Sequence, residues 1–183
     1  LAEGSMTAAF ILSQHDAATR RLAAVPEHPV ATRWLKRIAA GEAFATVGIS
    51  QLTTSRRLGR QALTAEQRPD GIYQLDGAMP WVTAGERADL FVTGAVTADG
   101  RQLLIALPAD RAGVHVKPSF ALAALQASCT TEISCEGVEV IEGEILAGPS
   151  TEISSKPGAV GTGGLETSAL ALGQARAALV KLA

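Results

Sequence analysis

The sequence predicts an α+β chain in which a central antiparallel β-barrel or two-sheet sandwich lies between helical ends. Three observations carry this prediction. From Ala43 to Gly148 short apolar runs are cut by turn signals about every 8–12 residues, the spacing of all-β architectures. Before that region, small and apolar residues recur at three- and four-residue steps, the period of a packed helix. After it, a Ser-, Gly-, Thr- and Pro-rich stretch, residues 150–164, separates the β region from a last helical segment, residues 165–183.

The first helix is expected from about Gly4 to Ala24, with Ala8, Ile11, Leu12 and Leu22 on its apolar side and Ser5 or Thr7 as its cap. Pro26 and Pro29 end it. His28-Pro29-Val30 opens a second, shorter helix carrying Trp34, Leu35 and Ile38 and closing near Gly41. Helices this rich in alanine usually pack on other helices, so their partners are expected outside this chain. Ala43–Leu52 reads as the first strand. Gly71–Leu75 and Met79–Thr83 are expected to form a hairpin across Asp76-Gly77, because both residues tolerate positive φ. Leu90–Val96 and Gln102–Leu107 form a second hairpin across Ala98-Asp99-Gly100. Gly113–Lys117 and Ala127–Val140 complete the strands. In the last helix Leu170, Gly173, Ala177 and Val180 share one face, with Thr162 as a candidate cap.

At 183 residues the chain has volume for a real core. Its formal net charge is −2 and it has no basic run, which argues against nucleic-acid binding. Its longest apolar stretches fall short of the roughly 18–20 residues a membrane-spanning helix needs. The start, Leu1-Ala-Glu-Gly-Ser-Met, has neither a basic region nor a clean cleavage site, so no targeting peptide is read. A first residue other than Met suggests that Leu1 is not the natural start. Cys129 and Cys135 lie on one face of a strand-like run, too far apart to bond, and read as buried thiols of a cytoplasmic protein. His15 reads as a surface or packing residue, and His115 and Asp110-Arg111 as strand-end and turn residues. No metal signature, P-loop, Rossmann glycine pattern or Ser-His-Asp arrangement is present.

Chemistry concentrates in Tyr73-Gln-Leu-Asp-Gly-Ala-Met-Pro-Trp-Val-Thr-Ala-Gly-Glu-Arg-Ala-Asp-Leu-Phe-Val-Thr-Gly94. The chain has two tryptophans, one tyrosine and four phenylalanines. It sets one tryptophan, Trp81, in an exposed Trp-Val-Thr beside the hydroxyl of Thr83. That pair suits a flat, electron-poor ring. Indole packs on its face, while the threonine and the backbone N–H groups around Val82 bond its polar edge.

This segment resembles the Tyr-x-Leu-x-Gly-x-Lys-x-Trp-Ile-Thr-Asn-Gly-x-x-Ala-Asp block of the acyl-CoA dehydrogenase family, which lines the flavin there. Three further blocks resemble the family in its order. They are Phe10-Ile-Leu-Ser-Gln-His-Asp, the Ser128, Thr130, Val138-Glu-Val140, Glu144, Leu146, Gly148 series, and Leu170-Ala-Leu-Gly-Gln-Ala-Arg-Ala-Ala. The resemblance implies the end of an N-terminal helical domain at 1–41, a flavin- and acyl-CoA-binding middle β-barrel domain at 42–149, a linker at 150–164, and the first helix of a C-terminal bundle at 165–183. It further implies FAD as cofactor, an acyl-CoA or related substrate, an electron-transfer flavoprotein or similar acceptor, and a homo-oligomer when full length.

The family's Thr-Glu-Pro-x-x-Gly-Ser-Asp motif falls on Ser50-Gln-Leu-Thr-Thr-Ser-Arg-Arg57. Ser50 can replace its threonine hydroxyl, and Gln51 and Ser55 can still donate hydrogen bonds, but the glutamate, proline, glycine and aspartate are gone. Arg56 and Arg57 could meet a phosphate or form a solvated pair. Met79 stands where the family has lysine, and Ala84 where it has asparagine. α-Proton abstraction needs a base, and a subset of the family carries a glutamate seven residues before a glycine of the bundle's first helix. Glu166 has that spacing from Gly173. It is the candidate base, against the alternative of a first-turn glutamate in the helix dipole. The expected activity is acyl thioester dehydrogenation, with β-hydride transfer to FAD. The alternatives are a flavin-dependent monooxygenase of the same fold and a non-catalytic β-domain that holds no flavin alone. Little activity is expected of this stretch by itself, since it carries little of the bundle.

Overall fold

The computed structural model describes residues 1–52, 63–151, 153 and 165–182, apart from the side chains of residues 165 and 166. Helix α1 spans Met6–Ala23, and its first turn is capped by Ser5, whose hydroxyl accepts from the Ala8 N–H at 3.2 Å. Helix α2, Pro29–Ala39, starts on a proline, whose fixed φ and missing N–H suit the first helical position. Among the described residues eight strands follow: β1 Ala45–Gly48, β2 Leu63–Gln67, β3 Tyr73–Val82, β4 Leu90–Thr97, β5 Gln102–Pro108, β6 Val114–Val116, β7 Thr131–Val140 and β8 Ile145–Ser150. Helix α3 is Leu165–Leu182.

The strands form one sheet in the order β6-β7-β3-β2-β4-β5-β8, with β1 also on β4. Among the described residues β6 and β8 end the path unpaired with each other, so the sheet is curled but not closed into a barrel. It is also not purely antiparallel. One edge of β4 is shared by two parallel partners, β1 along Leu90–Thr93 and β2 at Val96–Thr97.

Burial follows the two faces of β4 and β5. Phe91, Ala95, Leu103, Ile105 and Leu107 point into the core enclosed by the curl, with Leu63, Leu75, Met79, Val82, Ile133 and Val138. Leu90, Val92 and Ala106 point the other way, against Ala18 and Leu22 of α1 and Val30, Ala31 and Trp34 of α2. The partners of the alanine-rich helices, expected elsewhere, are thus the outer face of this chain's own sheet. On α3, Leu170, Gly173 and Ala177 are half-buried, while Leu172, Leu179, Val180 and Leu182 are exposed.

Three expectations are corrected. Ala43–Leu52 is not one strand, because β1 ends at Gly48 and Ser50–Leu52 is a 3-10 turn. The chain does not turn at Asp76-Gly77. β3 runs straight through it, bonded to β2 on one side and β7 on the other, and the hairpin turn lies earlier, at residues 68–72. The glycine signal there marks a bulge. Leu75 pairs with Val138 and Gly77 with Cys135, so β7 carries an extra residue. Left-handed Gly137 (φ 62°) absorbs it and gives its N–H to Asp76 Oδ1 at 2.7 Å. The Gln74 amide and this N–H hold the Asp76 carboxyl below its ordinary value. Cys129 precedes β7, is only half-buried and takes a left-handed backbone (φ 46°), whereas Cys135 is buried as expected; both are free.

Candidate functional site

The candidate site lies at the C-terminal end of β3, and a second bulge makes it. Met79 pairs with Ile133 and Val82 with Thr131, so β3 spends three residues where β7 spends two. Met79 and Val82 both enter the core. Strict alternation from Met79 would have driven Trp81 into that core and Val82 out. The extra residue at Pro80-Trp81 inverts the parity, and proline, with no N–H to lose from the ladder, suits the position. Trp81 is therefore 57% exposed beside a fully buried valine.

Thr83 does not share the exposure expected of it. It is 4% exposed, with its carbonyl accepting from Thr46 Oγ1 at 2.8 Å and its Oγ1 lying 3.4 Å from Thr130 Oγ1. Thr130 Oγ1 is in turn 2.8 Å from Ser128 Oγ, which gives a buried row of three hydroxyls beneath the strand end. Ala84 then adopts a left-handed conformation (φ 54°) and donates its N–H to Ser128 O at 2.8 Å. Gly85 follows where β7 passes close: a Cβ there would lie 2.5 Å from Thr131 Cγ2. In the turn it opens, the Glu86 carboxyl is held below its ordinary value by hydrogen bonds from the Ser119 hydroxyl and N–H.

Through these bonds the loop before β7 comes over the strand end, and Phe120 settles on Trp81, ring centroids 4.8 Å apart and tilted by 54°. β1 joins the site from the other side. A Cβ on Gly48 would touch Met79 Sδ at 3.0 Å and Val82 Cγ2 at 3.2 Å. The Ser50–Leu52 turn therefore sits beside the end of β3.

Within that turn Ser50 is half-buried and Gln51 is 1% exposed. The Gln51 amide nitrogen donates inward, to Gly48 O at 2.7 Å and Gly94 O at 2.8 Å, with Thr93 Oγ1 at 3.0 Å. Its Oε1 is buried without a partner. The sequence-predicted Ser50, Gln51, Trp81, Val82 and Thr83 are thus brought together, but Val82 faces the core and the Gln51 donor is committed to the fold. Ser55, Arg56, Arg57, Thr162 and the side chain of Glu166 lie outside the described residues; the Glu166 backbone is in the first turn of α3.

The sequence motifs leave out Phe120, and Ser128 and Thr130, which resemble a strand-pair pattern, prove to be neighbours of Thr83. The available signal for Phe120 was the scarcity of aromatics in this chain. Among the described residues no group of His, Cys, Asp and Glu could hold a metal ion. No described helix is long and apolar enough to cross a membrane. His15 stacks on Phe44 and its Nδ1 lies 2.9 Å from Ala45 O, a packing role. Arg111 is more than a turn residue, since it bonds Glu139 O at 2.8 Å and the buried Glu144 carboxylate. The site itself offers a flat aromatic face with hydroxyls beneath it, which suits a planar heteroaromatic ring.

The fold is that of acyl-CoA dehydrogenase-like flavoproteins. It matches butyryl-CoA dehydrogenase from Megasphaera elsdenii with a TM-score of 0.82 at 20% identity, over 98% of this chain and 48% of that one. It matches the indole-bound dibenzothiophene monooxygenase TdsC from Paenibacillus sp. A11-2 with a TM-score of 0.78 at 22% identity, over 97% and 46%. In sequence the chain is 27% identical over 150 residues to the probable acyl-CoA dehydrogenase YngJ of Bacillus subtilis (strain 168), covering 79% of this chain. It spans 39% of that relative's length. No protein-family model matches the chain. The resemblance to acyl-CoA dehydrogenases read from the motifs therefore holds in both sequence and fold.

Proposed function

We propose that this chain supplies the flavin-facing part of an acyl-CoA dehydrogenase-like oxidoreductase. The observation that carries the reading is the bulged end of β3, where an exposed indole stands above a buried row of hydroxyls. The residues present fit a flavin. Trp81 would pack against the ring, with the backbone at Val82 along its polar edge and the buried hydroxyls of Thr83 and Ser50 behind that edge. Gln51 would brace the turn that carries Ser50. When bound, FAD would supply a two-electron acceptor. Similar structures have been determined with FAD, for an acyl-CoA dehydrogenase from Bacillus anthracis, and with FMN, for TdsC.

In this reading residues 42–149 form the flavin- and acyl-binding domain, 150–164 a linker, and 165–183 the start of a helical bundle. Glu166 would be the base that takes the substrate's α-proton. The remainder of the pocket, an oligomeric partner and an electron acceptor would come from beyond this stretch. A second reading, flavin-dependent monooxygenation, is favoured by the likeness to TdsC and by the loss of the Glu-Pro and Gly residues after Ser50.

Titration with FAD and FMN, followed by visible absorption of the protein fraction, tests the cofactor. Saturable flavin bands are expected, and protein that stays colourless rejects the flavin reading. Acyl-CoA-dependent dye reduction by the longer protein tests the reaction. Glu166→Gln should abolish turnover there; unchanged turnover removes Glu166 as the base.

A further inference from the structure

Phe120 sits on a loop that side-chain bonds hold in place on both sides. On one side Glu86 Oε1 accepts from both the N–H (2.8 Å) and the hydroxyl (2.5 Å) of Ser119. Glu86 is three residues beyond Thr83, so this bond ties the loop directly to the turn that leaves the site. On the other side the carboxamide of Gln126 brackets Phe120. Its Nε2 donates to Phe120 O at 3.1 Å, and its Oε1 accepts from Leu122 N at 2.8 Å. Phe120 N donates to Thr130 O at 2.9 Å, which joins the same loop to the buried hydroxyl row. The loop has no strand ladder of its own, and these side-chain bonds stand in for one. Their common result is a half-buried phenyl set at 54° to an exposed indole.

We propose that Phe120 is a specificity-determining residue of this site, the second aromatic wall beside Trp81, and that Glu86 and Gln126 are positioning residues acting through it. This rests on the flavin reading of the Trp81 site. Two rings at an oblique angle form a corner rather than a flat shelf. A planar ring lying on the indole meets Phe120 with its edge, the favoured tilted arrangement of aromatic pairs. A flexible aliphatic chain gains less from such a corner, so the wall selects for flat, conjugated ligands.

The test uses the chain's two tryptophans. Trp34 is 4% exposed and Trp81 57%, so acrylamide quenching of the emission reports mainly on Trp81 without any ligand. Phe120→Ala, Glu86→Ala and Gln126→Ala are each expected to raise the quenching constant. The rise is bounded by the indole's present 57% exposure, so it is expected to stay below about twofold. In the Phe120→Ala background the other two changes should add nothing. Glu86→Gln, which keeps an acceptor oxygen, should restore part of the effect. Ser119→Ala, which leaves the N–H bond, should fall between. Additive effects, or unchanged quenching in Glu86→Ala and Gln126→Ala, would overturn the positioning role. Riboflavin, FAD and FMN are then titrated against the unchanged protein and Phe120→Ala. Affinity should fall about three- to tenfold for all three in the variant, the size of one aromatic contact. Equal affinities would overturn the wall. An unchanged protein that binds no flavin would refute the flavin reading and the specificity role together, while the quenching cycle still decides on the positioning.

Discussion

Replacing Gln51 with leucine separates a residue that braces the fold from one that touches a cofactor. The amide nitrogen serves Gly48 O and Gly94 O, but Gly48 O also accepts from Thr93 Oγ1 at 2.7 Å and keeps that bond in the variant. The cost is therefore the side-chain donor to one buried carbonyl, about 1–3 kcal/mol. Removing Oε1, already buried without a partner, returns about 1 kcal/mol of that. The expected net loss is about 0–2 kcal/mol, or at most roughly 4–8 °C in Tm for a chain of this size. Gln51→Ala adds lost packing at about 0.8 kcal/mol per buried methylene and should cost about 2–4 kcal/mol. Gln51→Glu would aim a carboxylate at two carbonyl oxygens. It should be the least stable of the three at pH 7 and recover as the pH falls and the carboxyl protonates. Urea unfolding at 25 °C ranks the series, and flavin titration below the transition should find affinity nearly unchanged in Gln51→Leu. A Gln51→Ala variant as stable as its parent, or a leucine variant that keeps its Tm while losing more than about tenfold in flavin affinity, would refute the bracing role.

Gly85→Ala places a Cβ 2.5 Å from Thr131 Cγ2 and should cost about 1–3 kcal/mol. Thr131→Ser in the same chain removes the clashing methyl but keeps the hydroxyl that bonds Lys117 O, so it should recover part of that loss in thermal melts. Burial, and secondarily the charge of Asp76, pushes the Cys135 thiol up to about 12, so at pH 8 a thiol reagent should label half-buried Cys129 and spare Cys135 until the protein unfolds. The unfolded chain ionises this thiol near its ordinary value while the folded one does not. Stability should therefore fall by about 1.4 kcal/mol per pH unit between roughly pH 9 and 12, a slope that Cys135→Ala removes. In acid the sign is reversed for Asp76, Glu86 and Asp99, whose hydrogen bonds depress their folded pKa values. Their stabilisation is complete above the ordinary carboxylate range and is lost as pH drops through those lowered values, which acid titration of the unfolding midpoint would follow.

Local signals read from the sequence held where one residue's chemistry decides the outcome. Ser5 caps α1, Pro29 starts α2, and Ala98-Asp99-Gly100 turns the β4–β5 hairpin, with Gly100 at φ 82°. The same reasoning failed at Asp76-Gly77, because positive φ serves a bulged strand as well as a turn and only the pairing of β3 with both neighbours separates the two. Exposure of Trp81 was expected from its neighbours in the motif, but its cause, the parity change at Pro80-Trp81, depends on β7, some fifty residues away in sequence. Gln51 looked like a ligand donor because nothing local shows that Gly94 O and Thr93 will lie against it. Phe120 carries no motif, and its place is set by Glu86 and Gln126, bonds that exist only once the chain has folded.

Tryptophan emission during addition of FAD, compared between the parent and Trp81→Phe, tests the central claim most directly. Trp81, the exposed indole, should give a red-shifted component that disappears saturably in the parent as flavin absorption enters the protein fraction, and Trp81→Phe should bind flavin far more weakly. Equal flavin affinity in the two proteins would contradict the account, because the ring would then be seated away from the end of β3.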